Sequence, residues 1–184
     1  MQRIILIGYM GAGKTTIGKA LAHDLGLEFF DLDWYIEDRF RKKIPQIFAE
    51  RGENGFREIE RNMLYEVGEF ENVVISSGGG TPCFFDNIDY MNKQADTVYL
   101  NAPVDVLYAH LMMGKSQRPL IEGKTPEELK AYIKDSLAGR EQFYRKARYM
   151  VDVEVIKYKS QIQALVDNIK EIIATKNQKE DLLT

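Results

Sequence analysis

The chain has 184 residues, enough for one domain with a core of its own. It carries 28 acidic and 25 basic residues, a net charge of −3, which argues against bulk nucleic-acid binding but leaves room for a local basic pocket. A hydrophobic share of 45% excludes disorder, and no apolar run approaches the ~18 residues of a membrane-spanning helix. The single cysteine, Cys83, permits no internal disulfide and suits a reducing cytoplasm. With no histidine near it in sequence, it reads as a half-buried thiol rather than a nucleophile.

Residues 4–7 are a short apolar run and read as a first buried strand. Residues 14–25 read as a helix, with Ile17, Ala20, Leu21 and Leu25 on one stripe and Gly26 as its stop. Residues 28–32 form a second strand. Residues 33–40 and 45–51 read as two short helices split at 42–44. Residues 56–70 read as a longer helix, with Ile59, Met63, Leu64 and Val67 at helical spacing. A third strand at 73–76 runs into Ser77-Gly78-Gly79-Gly80, and a fourth covers 97–100. Residues 104–112 read as a helix. The stretch 114–125 is polar and aperiodic, a candidate for a mobile loop. A long helix or helix pair over 126–147, a fifth strand at 151–156 and a closing helix at 161–174 follow, and residues 177–184 are expected to fray. Short apolar runs alternating with helix-period segments predict an α/β fold, and strands without full alternation predict a parallel sheet buried on both faces. The whole of 1–184 reads as one domain.

Gly8-Tyr9-Met10-Gly11-Ala12-Gly13-Lys14-Thr15 matches G-x-x-x-x-G-K-[ST] between a predicted strand and a predicted helix, the context that a phosphate-binding loop needs. The glycines let backbone N–H groups turn inward, and the helix N-terminus adds the positive end of its dipole. Gly11, Ala12, Gly13, Lys14, Thr15 and Thr16 would then hold the phosphates of a nucleotide, with the Thr15 hydroxyl offered to Mg²⁺. The spacing does not fit the dinucleotide pattern G-x-G-x-x-G. Asp31 and Asp33 sit at the end of the second predicted strand, where residues two apart share a face. One carboxylate can hold Mg²⁺ and the other can take a proton from an acceptor hydroxyl; alternatively, Asp33 is an N-cap for the helix after it.

Arg57 and Glu60 are three apart on a helix, either a clamp for an anionic substrate or a solvated pair. Arg140 belongs to a basic cluster with Arg145, Lys146 and Arg148, which is a binding feature or a solvated face. Gly78, Gly79 and Gly80 suit a backbone approaching a ligand, or a flexible turn. Arg118, in the polar stretch, is either a lid arginine that stabilises a transferring phosphoryl group or part of a surface loop.

The ordered set GYMGAGKTT, FDLDWYIE, GFREIE, SSGGGTP, KSQRPL and REQFYRKAR resembles that of shikimate kinases, from Arg3 to about Asp152. The resemblance implies a nucleoside-monophosphate-kinase-like, three-layer P-loop fold. Its five-stranded parallel sheet is flanked by helices, with a substrate-binding region near 33–61 and a lid near 112–125. It implies transfer of the γ-phosphoryl of ATP to the 3-hydroxyl of shikimate, on the route to chorismate and aromatic amino acids, in a cytoplasmic monomer without nucleic-acid or membrane partners. By motif, Lys14 and Thr15 match the loop lysine and the Mg²⁺-binding hydroxyl, and Asp31 the acidic residue near the metal. Asp33 matches the carboxylate that binds shikimate hydroxyls and serves as base. Arg57 and Arg140 match the arginines that hold the shikimate carboxylate, Glu60 the brace of Arg57, Gly78 to Gly80 the glycines at the substrate, and Arg118 the lid arginine. The family's arginine near adenine is missing, since Ala109 and His110 occupy that neighbourhood, and residues 156–160 become the natural adenine loop by position. A gluconate-kinase-like relative would not be expected to carry the FREIE and SGGG pair together. A GTPase switch would need N-K-x-D, but Asn92-Lys93 is followed by Gln94-Ala95. An inactive relative is disfavoured because every catalytic position is filled.

Overall fold

A computed structural model describes residues 2–114 and 123–181. Five strands, β1 (Arg3–Ile7), β2 (Glu28–Asp31), β3 (Val73–Ser76), β4 (Asp96–Asn101) and β5 (Tyr149–Asp152), form one sheet in the order β2-β3-β1-β4-β5. Every pairing is parallel. Ile4, Ile5, Leu6 and Ile7 alternate between the two faces of the central strand, yet all four are fully buried. Both faces of the sheet are therefore covered, as a parallel sheet requires.

The helices are α1 (Lys14–Leu25), α2 (Leu32–Phe40), α3 (Ile44–Gly68), α4 (Asn87–Gln94), α5 (Val104–Met113), α6 (Pro126–Tyr144) and α7 (Lys159–Asp181). The first packs against α7 and β3, α2 against α3, and α5 against α6. Residues 45–51 and 56–70, expected as separate helices, join into α3 across a single break at Gly52, whose φ of 66° and ψ of −178° are non-helical. Beyond α3 the chain turns earlier than expected, at Gly68.

Two further expectations change. The fifth strand does not cover 151–156. Its ladder ends where Asn101 pairs with Asp152, because β4 stops there, and Val153 only caps the edge by donating its N–H to Asn101 O at 2.8 Å. The valine alternation continues without a partner strand, so residues 153–158 become a loop. Helix α4 was not announced by any periodic run. Ile88 and Met91 are buried among polar neighbours, and its first residue, Asn87, is buried through a hydrogen bond to Thr81 O at 2.8 Å. The closing helix continues past Ala174 to Asp181. No described helix is long and apolar enough to cross a membrane.

Candidate active site

A cleft of about 740 Å³ opens beyond the carboxyl ends of β1, β2 and β3, the usual ligand position in open α/β sheets. Gly11, Gly13, Lys14, Thr15 and Thr16 form its floor. Gly13 is the N-cap of α1 at φ +92°, a left-handed conformation that a β-carbon would strain. Ala12 is wholly buried behind the loop. The Lys14 ammonium is nearly buried and donates to Gly8 O at 2.8 Å and Tyr9 O at 3.0 Å. It thus lies folded against its own loop.

The two aspartates divide their work differently from the expected shared strand face. Asp31 ends β2 and is itself the N-cap of α2, its Oδ1 accepting from the N–H groups of Asp33 (3.1 Å) and Trp34 (3.4 Å). Its other oxygen, Oδ2, accepts from the Thr15 hydroxyl at 2.8 Å. Asp33 is not the cap and not on the strand; it lies in the first turn of α2 and still reaches the cleft. Burial, then the neighbouring Asp31 and Glu60 carboxylates, push its carboxyl from 3.8 up to about 6, against the pull of Lys14. The Thr15 and Asp31 oxygens are a pair of hard donors facing the phosphate loop, and they fit a magnesium ion.

A second cluster gathers around the turn at Gly78, Gly79 and Gly80. Arg57 donates from Nη1 to Glu60 Oε2 at 2.8 Å, and its guanidinium stacks 4.0 Å over the Phe84 ring. The Glu60 carboxylate is buried, and its Oε1 accepts from the Thr81 hydroxyl at 2.6 Å, so both oxygens are satisfied. The turn must be made of glycine because side chains crowd it. A β-carbon on Gly78 would lie 2.9 Å from Asp33 Oδ1 and from Glu60 Oε1, and one on Gly80 would lie 2.8 Å from both terminal nitrogens of Arg57. Arg140 approaches from α6, its Nη1 3.6 Å from a β-carbon built on Gly79, and its guanidinium is 5.4 Å from the Tyr9 ring. Of this cluster Gly79 lines the cleft, as Asp33 does, whereas Arg57, Gly78, Gly80 and Arg140 are not among its lining residues and reach it only through their contacts with the glycine turn. Arg118 and most of the expected lid lie outside the described residues.

A family model described as shikimate kinase matches residues 10–174. The chain is 55% identical over 170 residues to the shikimate kinase of Phocaeicola vulgatus, covering 92% of this chain and 97% of that one. It belongs to the shikimate kinase family. As a member it is a kinase with ATP as co-substrate. Its fold matches the crystal structure of a shikimate kinase from Bacteroides thetaiotaomicron with a TM-score of 0.92 at 51% identity, covering 94% of this chain and 98% of that one. A shikimate kinase from Acinetobacter baumannii in complex with shikimate matches with a TM-score of 0.82 at 33% identity, covering 96% and 94%.

Three residues in this shikimate kinase site carried little signal in the sequence. Thr81, which completes the shell of Glu60, follows the glycine triplet directly. Tyr144 is buried and donates its hydroxyl to Gly79 O at 2.5 Å; it lies four residues after Arg140, on the same helix face. His110 contacts two backbone segments far from it in sequence, which no local pattern reveals. Cys83 is half-buried, and burial pushes its thiol up to about 11, which leaves it inert at neutral pH.

Proposed function

We propose that this chain transfers the γ-phosphoryl group of ATP to the 3-hydroxyl of shikimate, giving shikimate 3-phosphate and ADP. The observation that carries the reading is the junction of its two clusters. The glycine turn that gathers Asp33, Glu60, Arg57 and Arg140 abuts the phosphate loop, a β-carbon on Gly79 lying 3.5 Å from Met10 N and 3.6 Å from Gly8 O. An acceptor held by the first cluster therefore meets a phosphate held by the second.

Shikimate is a rigid triol carboxylate. Arg57 and Arg140 offer charge-assisted hydrogen bonds to the carboxylate, and Glu60 keeps Arg57 from collapsing elsewhere. Gly78, Gly79 and Gly80 let the ring approach the backbone. Asp33 orients the hydroxyls and takes the proton of the attacking one. With its carboxyl raised to about 6, Asp33 is mostly ionised at pH 7 yet basic enough to accept a proton. On the donor side, Lys14 leaves the Gly8 and Tyr9 carbonyls for the β- and γ-phosphates, and the N–H groups of Gly11, Ala12, Gly13, Thr15 and Thr16 surround them. Arg118, as the family resemblance implies, would add positive charge at the transferring group. Thr15 and Asp31 would hold Mg²⁺, which supplies neutralisation of phosphate charge when bound. We place the enzyme in the cytoplasm, in keeping with the lone Cys83, and, by the family resemblance, as a monomer.

Coupled ADP release with Mg-ATP tests the reading, with shikimate, gluconate and quinate as acceptors. Strong dependence on shikimate alone is the expected result. Nucleotide hydrolysis indifferent to the acceptor would overturn it.

A further inference from the structure

The end of the cleft beside Gly11 and Gly13 is made by His110, Met113 and Ile156. If the phosphates of ATP occupy the loop with the γ-group toward Asp33, the nucleoside extends to this end. The inference that follows rests on that reading of the cleft.

His110 lies in the last turn of α5 and commits both ring nitrogens to backbone. Its Nδ1 is 2.8 Å from Gly11 O, in the phosphate loop. Its Nε2 is 2.8 Å from the amide nitrogen of Ile156. An amide N–H can only donate, so Nε2 is the bare nitrogen and accepts. The ring proton therefore sits on Nδ1 and is donated to Gly11 O, which fixes one tautomer. No polar atom of His110 remains to read a nucleotide. Its ring is a brace between two segments that are 145 residues apart in number, Gly11 and Ile156.

What it braces is a loop that lies outside the sheet and the helices. Residues 153–158 follow the end of β5 and precede α7. On the α7 side, Gln161 pins the loop. Its Oε1 accepts from the N–H groups of Lys157 (2.9 Å) and Tyr158 (3.0 Å), and its Nε2 donates to Val155 O at 3.1 Å. On the phosphate-loop side, His110 is the hydrogen-bonded link found among the described residues. The Ile156 side chain then packs against the start of α1, its Cδ1 lying 3.5 Å from a β-carbon built on Gly13.

We infer that His110 is a positioning residue that fixes the Ile156 loop against the phosphate loop and so sets the seat of the nucleoside half of ATP. It acts through Gly11 and Ile156. Loss of the brace should free the loop and weaken binding of the nucleoside, while ligands made only of phosphate should keep their contacts.

The test compares ATP with inorganic triphosphate on the full chain. In His110→Ala, the KM for ATP should rise about five- to tenfold, the weight of one hydrogen bond lost. The inhibition constant of inorganic triphosphate and the KM for shikimate should move less than twofold, and kcat at saturating ATP should fall less than the KM rises. His110→Gln keeps an acceptor near the Nε2 position and should recover most of the ATP affinity; it also serves if the alanine variant folds poorly. Equal weakening of ATP and triphosphate would overturn the inference, since His110 would then act on the phosphate loop itself. Unchanged ATP affinity in a folded alanine variant would overturn it too, as would a folded glutamine variant no better than alanine. Failure of the wild-type chain to bind ATP, or to phosphorylate shikimate, marks the other failure, that of the functional reading.

Discussion

The donor half and the acceptor half of the cleft are built by opposite means. The donor half is one continuous segment from Gly8 to Thr16 that runs into the start of α1, and in the proposed reading it binds largely through backbone N–H groups. The acceptor half draws charged side chains from α2, α3 and α6 to a single glycine turn. Phosphate is a symmetrical anion that backbone can bind without reading anything else. A ring with one carboxylate and three hydroxyls needs charges placed individually, and the fold places them by tertiary contact.

That division is broken or sharpened most forcefully at Asp33. Asp33→Asn should cut turnover by ~10²-fold or more, because an amide cannot take the acceptor proton. Coupled ADP release gives the rate, and near wild-type turnover with shikimate still bound would remove Asp33 from the role of base. In the wild type, kcat/KM should fall as pH drops through about 6, where this carboxyl protonates. Arg140→Ala comes next. Loss of a charge-assisted contact should raise the KM for shikimate ~10- to 100-fold and leave that for ATP within a few-fold. Equal losses would put Arg140 on the donor half and dissolve the division. Gly78→Ala should be milder, raising the KM for shikimate about tenfold as its β-carbon displaces Asp33 and Glu60.

The last effect has the opposite sign and is read in stability rather than in rate. A carboxyl whose folded value is raised from 3.8 to about 6 favours the protonated, folded state. The folded state therefore loses stability as pH rises through that window, and above it the full cost remains. Asp33→Asn removes the charge and should stabilise the protein by about 1–3 kcal/mol at pH 8, a rise of several degrees in Tm. The gain should shrink toward pH 4. A thermal melt series from pH 4 to pH 8 measures it, and an equal gain at both ends would contradict the origin assigned to the shift.

The same contrast explains what the sequence made visible. The phosphate loop is contiguous, so its motif, its strand and its helix are all local facts. The first four strands are apolar runs bounded by turns, and they lie within a residue or two of their expected places. The fifth was misplaced because a strand ends where its partner ends, and nothing between 151 and 156 says that β4 stops at Asn101. Asp31 and Asp33 were paired on one strand face, whereas a cap at Asp31 starts α2 at once and sends Asp33 into a helix. Arg57 and Glu60 were legible as neighbours on a helix. Their meeting with Thr81 and Phe84 was not, since it depends on how α3 packs beside the glycine turn. The donation from Tyr144 to Gly79 spans 65 residues and leaves no periodic trace.

The order of the sheet bears on how this protein comes into being. Its central strand is the first to be synthesised, yet its neighbours pair at Val73 on one edge and at Asp96 on the other. Until the ribosome has passed Asn101, the run Ile4 to Ile7 has an open edge, apolar on both faces. Such long-range parallel pairing closes slowly and leaves nascent chains prone to stick to one another. The unfinished chain is thus at its most vulnerable before β3 and β4 have been made, because only they close the two edges of the strand that carries the nucleotide loop.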